Sequence, residues 1–406
     1  MQLFFFTNSY PYGYGEKWKT DELIILKDYF EKVTVVPYCD GGKEIDIAMI
    51  NSINYIAPLF KKKLPEISHK KKILKIIFSF DIFTFLNEFF SERIFLSKKK
   101  FYKWLNSSYK MICIKKSESF RQILKTATPE TIFYFFWGRE ISEVIPVLKN
   151  KSQKLISRFH GYDLYKERND GYIPYQRKLI KHLEYALTCS DDGQKVLKNY
   201  YPHFASKIIT KRLGTISQGR SGFSEDGSLV IISCSFVNKL KRNYLIAESL
   251  KYVTKKIHWI HIGDGDLLPD LKNRVKETKE NVKVSLLGKM TNDAVIKFYC
   301  ENNIDLFINV SEYEGVPVSI MEALGAGIPI LATNVGGVSE IVDDTVGKLI
   351  TKDTTALSLA QEIDKFAELP FETKKKIRDA AFIRYEEKCN AVKLTHELGF
   401  FLNHLV

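Results

Sequence analysis

The 406-residue chain is poor in cysteine, and none of its six cysteines sits near another. Cys39, Cys113, Cys189, Cys234, Cys300 and Cys389 form no CxxC spacing and no Cys/His cluster. This excludes a zinc finger and a disulfide scaffold, and it fits a reducing compartment. No basic residue precedes the short apolar run at 3–6, so the pattern of a secretory signal is missing. A long uncharged apolar stretch is missing too. The most lipid-like segment, 73–96, carries Lys75, Asp81, Glu88, Glu92 and Arg93. A spanning helix needs about twenty predominantly apolar residues, and charges near its middle are costly. No GxGxxG follows the first expected strand, and IGDG (262–265) lacks a third glycine, which argues against a dinucleotide oxidoreductase. No DxD motif stands at a strand end, since Asp191-Asp192 reads as a helix start after Ser190; no metal is expected.

What is present is an ordinary globular composition, 45% hydrophobic and 27% charged, at a length that suits two or three domains. The net charge of +13 is unevenly placed. Residues 1–218 hold 37 basic and 22 acidic side chains, and the remainder holds 24 and 26. The excess concentrates at 61–116, with 15 basic and 4 acidic residues, including the triplets 61–63, 70–72 and 98–100. Those triplets flank the Phe/Ile/Leu-rich segment at 73–96. Lysines beside an apolar helical face suit an anionic membrane surface. A solvated lysine-rich face is the alternative, and nucleic acid is not expected because no nucleic-acid motif accompanies the charge.

Short β-branched and aromatic runs alternate with helix-spaced segments along the whole chain. The runs are 3–8, 33–38, 131–137, 155–161, 185–190 and 207–215, then 228–235, 257–265, 282–288, 304–311, 328–334 and 346–350. Helical spacing fills 242–252, 267–280 and 293–301. This alternation predicts parallel sheets covered on both faces. The fold class expected is α/β, with two doubly wound, Rossmann-like domains facing across a cleft. Their bounds are 1–216 and 228–388, joined by a Gly/Ser-rich linker at 217–227, with a last helical stretch at 389–406. In such sheets ligands sit beyond the carboxyl ends of the strands.

The most informative stretch is VSEYEGVPVSIMEALGAGIPILATNVGGVSEIV (310–342). A strand leads into a polar loop with Glu314 and Gly315, then a helix opened by Pro317, and Gly325 and Gly327 close that helix. The first amides of a helix have no internal partner, so Gly315, Val316, Val318 and Ser319 would offer N–H groups to a phosphate. A carboxylate beside a diphosphate is unfavourable unless it binds hydroxyls. Glu314 and Glu322, one at each end of the anion pocket, therefore point to a nucleotide sugar.

This Glu-x7-Glu pattern within its Gly/Pro frame resembles the retaining GT-B glycosyltransferases of group 1, or family 4. Further matching points, in the same order, are YPYGYGE (10–16), RFHGYDLY (158–165), KLKRN (239–243), IGDG (262–265) and LLGKM (286–290). The first two are most similar to the branch that builds capsule, O-antigen and colanic-acid-like polysaccharides. The resemblance implies that Glu314 holds donor-sugar hydroxyls and Glu322 the ribose hydroxyls. It implies that backbone around Gly315, Val316, Pro317 and Val318 holds phosphate, although Pro317 has no N–H. Lys241 would neutralise the diphosphate, with Arg242 beside it. The family's usual arginine before that lysine is replaced by Phe236, so either Lys239 or Arg242 reaches into the site instead or diphosphate stabilisation is weakened. His160 would contact the donor sugar near its anomeric carbon. Gly13 and Gly15 would let backbone approach the sugar and phosphate. Glu16 and Asp163 are acceptor-side candidates, Asp163 equally a helix cap.

The activity implied is sugar transfer, with retention, from a nucleotide-diphosphate donor to a hydroxyl of a glycan or lipid-linked acceptor in cell-surface polysaccharide biosynthesis. No cofactor is implied beyond the donor substrate. The last helix would return to the N-terminal domain, and the location implied is cytoplasmic, peripheral to the inner face of the cell membrane. A non-catalytic GT-B protein that binds glycans or a partner transferase is the alternative, and Phe236 is its best support.

Overall fold

The computed structural model describes the chain except residues 13–17, 46–49, 63, 149–152, 225–226 and 406, and except the side chains of residues 18 and 277. Two compact units are present, Met1–Lys211 with Thr395–Val406, and Arg212–Leu394.

In the first unit the described strands are β1 (Gln2–Thr7), β2 (Lys32–Pro37), β3 (Asn54–Tyr55), β4 (Thr131–Phe135), β5 (Lys154–Phe159), β6 (Tyr185–Thr188) and β7 (Ile208–Thr210). They pair in the order β3-β2-β1-β4-β5-β6-β7, all parallel. The chain starts at the middle, runs to one edge and crosses over to build the other half. β1 and β4 therefore flank the point where the winding reverses. Successive residues of β1 face opposite sides, as a pleated strand requires. Phe4 and Phe6 pack with Phe133 and Phe135 of β4, the Phe6 and Phe135 rings stacking at 4.3 Å.

The second unit repeats the plan with β8 (Leu229–Cys234), β9 (Ile257–Ile262), β10 (Val282–Gly288), β11 (Leu306–Asn309), β12 (Ile330–Thr333) and β13 (Gly347–Ile350). The order is β10-β9-β8-β11-β12-β13, again parallel, and the reversal lies between β8 and β11. Two apolar clusters cover its faces. Ile232, Phe307 and Ile330 fill one, while Ile231, Ile308 and Leu331 fill the other. Neighbouring residues go to opposite clusters, which is why these strands read as unbroken apolar runs rather than alternating ones.

The two doubly wound parallel sheets agree with the fold class read from the sequence. The two-residue edge strand β3 has no apolar run to announce it, and only 208–210 of the expected strand at 207–215 pairs. The segment at 217–227, expected as a linker, is a correction. Its described residues are pinned to the second unit. Ser217 N–H donates to the Tyr385 hydroxyl at 2.8 Å, Ser221 N–H donates to the Ala326 carbonyl at 2.9 Å, and the buried Arg378 guanidinium donates to the Ser221 and Ile304 carbonyls. Small polar residues here let the chain lie close to the helices beneath it. The division between units falls at Lys211 and Arg212. At the other end, Ala391–Asn403 is helical and its later part belongs to the first unit. There Tyr29 bonds His396 at 2.8 Å, and a side chain at Gly399 would collide with the Tyr29 ring.

The first unit also buries an ion pair. Arg158 of β5 donates to Glu22 at 2.6 Å, with side chains 1% and 5% exposed, and the Tyr134 hydroxyl donates to the same carboxylate. Removing one partner of such a pair strands the other charge. Glu22→Ala is therefore expected to lower the stability of the first unit by about 3–5 kcal/mol in urea denaturation. A change within the error of the method would show that the pair is not held in the core.

Candidate active site

Three loops converge at the carboxyl ends of β8, β11 and β12. After β8 the chain forms 235–242, in which Asn238 Oδ1 accepts the Lys241 amide at 3.0 Å. Arg242 follows with φ at +50° and starts the helix Asn243–Ser249. This loop is zipped to 310–314. The Leu240 carbonyl accepts the Glu312 amide at 2.8 Å, and Arg242 Nε donates to the Val310 carbonyl at 2.7 Å. At the end of the zip Lys241 Nζ meets Glu314 Oε1 at 2.6 Å, their side chains 19% and 10% exposed. Asn309, the last residue of β11, donates to the same oxygen at 3.3 Å. Both of these partners use Oε1, so Oε2 faces no recorded donor among the described residues.

The loop after β12 closes the third side. Gly337 N–H donates to the Gly315 carbonyl at 2.7 Å. Gly336 has φ at +52°, and a Cβ there would stand 2.0 Å from the Glu314 carbonyl oxygen. Only glycine permits that approach. Pro317 caps the helix Val318–Gly325 with an extended backbone, and its carbonyl accepts the Ile320 and Met321 amides. Val318 and Ser319 thus occupy the first turn, where N–H groups lack intrahelical partners and the helix dipole is positive.

Glu322 lies one turn further on and is 7% exposed. Its Oε1 accepts from the Asn292 amide, at the start of the helix Asn292–Glu301. Burial raises the Glu322 carboxyl to about 7, against the smaller opposing effect of that hydrogen bond. Beside it, the loops after β8 and β9 touch through Gly263, where a Cβ would stand 1.9 Å from the Ser235 carbonyl oxygen. His261 is fully buried under this contact, accepts or donates at Nδ1 with Ser233 at 2.8 Å, and is held neutral because burial lowers its pKa to about 4.

In the first unit His160 follows β5 and caps the helix Gly161–Leu164. Its ring packs on Trp137 at 4.2 Å and on Phe136 at 5.2 Å. Burial favours the neutral ring, but Cys189 and Asp163 outweigh it and hold the pKa up at about 9. The Phe136 and Trp137 rings also lie 5.0 and 5.4 Å from Lys19 Nζ, whose side chain is buried.

Most of the expected second-unit residues come together: Lys241, Glu314, Gly315, Val316, Pro317, Val318 and Glu322 line one set of adjoining loops. Two of the expected residues are engaged by the fold itself. Arg242 braces the Val310 and Lys352 carbonyls with its guanidinium. Asp163 is fully buried, and its carboxylate accepts the His160 and Gly138 amides. It caps the helix, which is one of the two readings the sequence left open for it. Phe236 is 69% exposed, and Lys239 is exposed as well. Gly13, Gly15 and Glu16 lie outside the described residues. Asn238, Asn292 and Asn309 were not singled out from sequence; Asn238 lies within the loop after β8, Asn292 starts a helix and Asn309 ends β11, and from each place a short amide side chain reaches loop backbone or a carboxylate. The assembled pocket offers a fixed cation, first-turn amides and two carboxylates, which suits a ligand carrying phosphate between hydroxyl-bearing groups.

Comparison with known proteins bears on the family and the fold. Residues 218–384 match the family model for glycosyl transferases group 1. The chain is 27% identical over 254 residues to the amylovoran biosynthesis glycosyltransferase AmsK of Erwinia amylovora, covering 56% of this chain and 59% of that one. It is 33% identical over 135 residues to the O-antigen biosynthesis glycosyltransferase WbnH of Escherichia coli, covering 32% and 36%. The chain thus spans less than two thirds of the length of these curated relatives. Among solved structures, HepE of Anabaena in complex with UDP and glucose superposes with a TM-score of 0.65 at 15% identity, over 100% of both chains. The lipopolysaccharide outer core galactosyltransferase WaaB does so with a TM-score of 0.67 at 15% identity, over 99% of both. The fold is that of the GT-B glycosyltransferases.

The burial of Glu322 has a measurable consequence. Between its ordinary value of 4.5 and about 7, the folded chain holds a proton that the unfolded chain has released. Stability therefore falls as pH rises through that window. Glu322→Gln abolishes this loss, so the variant gains on the wild type across the window and keeps a margin on the order of 3 kcal/mol above it. Urea denaturation as a function of pH reads the difference, and identical pH slopes in the two proteins would contradict it.

Proposed function

We propose that this chain is a retaining glycosyltransferase that moves a sugar from a nucleotide-diphosphate donor to a hydroxyl of a glycan or lipid-linked acceptor in cell-surface polysaccharide biosynthesis. The observation that carries the reading is the Lys241–Glu314 contact, set beside the first turn of Val318–Gly325 with Glu322 buried behind it. UDP in the HepE complex and the polysaccharide roles named for AmsK and WbnH support a UDP-type donor and this setting.

In the proposed mechanism the diphosphate lies against the first-turn amides and Lys241. Glu314 accepts donor-sugar hydroxyls through the oxygen that Lys241 does not use, and Glu322 accepts from the ribose. The bond between the anomeric carbon and the phosphate oxygen breaks. The acceptor oxygen bonds to the carbon on the same face, and its proton passes to the departing phosphate oxygen. Negative charge grows on that phosphate as the bond lengthens. A cation already fixed there stabilises the transition state more than the ground state. His160 is proposed to contact the sugar being transferred.

A second reading, a GT-B protein that binds without turnover, is favoured by Phe236. That exposed ring stands where the family places a cation, and Arg242 does not replace it.

Incubation with UDP-glucose, UDP-galactose or UDP-N-acetylglucosamine and a lipid-linked acceptor separates the two. Donor consumption with the product in the donor's anomeric configuration by NMR supports the transferase. Lys241→Met and Glu314→Gln should each lower kcat roughly a hundredfold or more. Turnover equal to wild type in both variants would contradict the assignment, and binding of every donor without turnover would favour the second reading.

A further inference from the structure

The crossover from β3 to β4 carries a helical excursion: His69–Ile77, Ile82–Ser91, a turn at Ile94–Leu96 and the long helix Lys98–Lys116. It is anchored from within. Ile76, Phe85, Ile94 and Trp104 are buried in the first unit's core. Two of the segment's three acids turn inward, while Glu92 is half-buried. Asp81 pairs with Lys115 at 2.7 Å, and Glu88 takes Lys178 at 3.2 Å and the Tyr175 amide at 2.8 Å.

What faces outward is apolar. Phe78, Phe80, Phe83 and Phe90 are 81%, 95%, 82% and 63% exposed, and Phe95 and Leu96 continue the surface. On Ile82–Ser91, Phe83, Leu86 and Phe90 follow one another at positions i, i+3 and i+7, so they form one stripe along the helix. Single exposed apolar residues are unremarkable, but a contiguous cluster of aromatic rings marks a docking surface. Cations stand at both ends of it, Lys70 and Lys71 in the first turn of one helix and Lys98 after the turn at 94–96, all exposed. With Asp81 and Glu88 turned inward, the surface is aromatic at its centre and positive at its flanks.

We infer that this excursion docks on an anionic lipid bilayer, the phenylalanines entering the headgroup–acyl boundary and the flanking lysines meeting lipid phosphates. A bilayer satisfies both features at once. A symmetric second copy does not, because it would set the same lysines against each other. No helix among the described residues is long and apolar enough to cross a membrane, so the contact is with the surface. The inference does not depend on the reaction proposed above.

The test is co-sedimentation of the full chain with phosphatidylcholine vesicles, with and without phosphatidylglycerol, at low and high salt. The wild type should bind phosphatidylglycerol vesicles at least roughly tenfold more tightly than neutral ones, with binding falling at high salt. Phe80→Ser with Phe83→Ser should weaken binding at least roughly tenfold without moving the thermal midpoint, since both rings are solvent-exposed. Lys70→Glu with Lys71→Glu should remove the preference for phosphatidylglycerol while the chain stays folded. Absence of binding to any vesicle, or binding by the phenylalanine variant equal to wild type, would overturn the inference. So would a dimer in sedimentation velocity that the phenylalanine variant abolishes.

Discussion

The contact between Lys241 and Glu314 organises the second unit's binding loops. The two residues are 73 apart in sequence and come from loops after adjacent strands at the reversal of the sheet. A carboxylate placed next to a phosphate site is repulsive on its own, by about 4 kcal/mol per unit-charge pair at 4 Å in a surface-like dielectric. An ammonium between the two anions changes the sign of the interaction for both. In the proposed function the lysine is therefore what would let a sugar-binding acid and a diphosphate-binding helix end share one pocket. The Leu240–Glu312 and Arg242–Val310 hydrogen bonds fix the distance over which it acts.

Much of this was legible in the sequence because it rests on local rules. Apolar runs buried on both faces announce parallel strands, and twelve of the strands match the runs read from the chain, nine lying inside them and three starting one residue earlier. Glycines carried more than they do in most chains, since Gly263 and Gly336 stand where any Cβ would strike a neighbouring carbonyl oxygen. The acid pair flanking a helix start is also a one-dimensional pattern, and it survives folding intact.

What was not legible depends on which way a side chain turns once the chain is folded. Arg242 reads as one cation among several, yet a left-handed backbone at that residue swings it towards carbonyls of two other loops. Asp163 reads equally as ligand or cap, and only its full burial decides. The lysine-rich region showed its charge in the sequence but not its geometry. Asp81 and Glu88 seemed to dilute an apolar helix, whereas in the fold they face the core and leave the phenylalanines outside. The proposed chemistry lies on strand-end loops, and the β3–β4 crossover carries a surface of a different kind.

The most direct test of the central claim is calorimetric titration of UDP into the wild type, Lys241→Met, Glu314→Gln and the double variant, taken as a thermodynamic cycle. If Lys241 mediates between two anions, its loss weakens UDP binding roughly a hundredfold, and much of that loss is recovered when Glu314 is also neutralised. Strictly additive effects, or a Lys241→Met protein that binds UDP as the wild type does, would contradict the account.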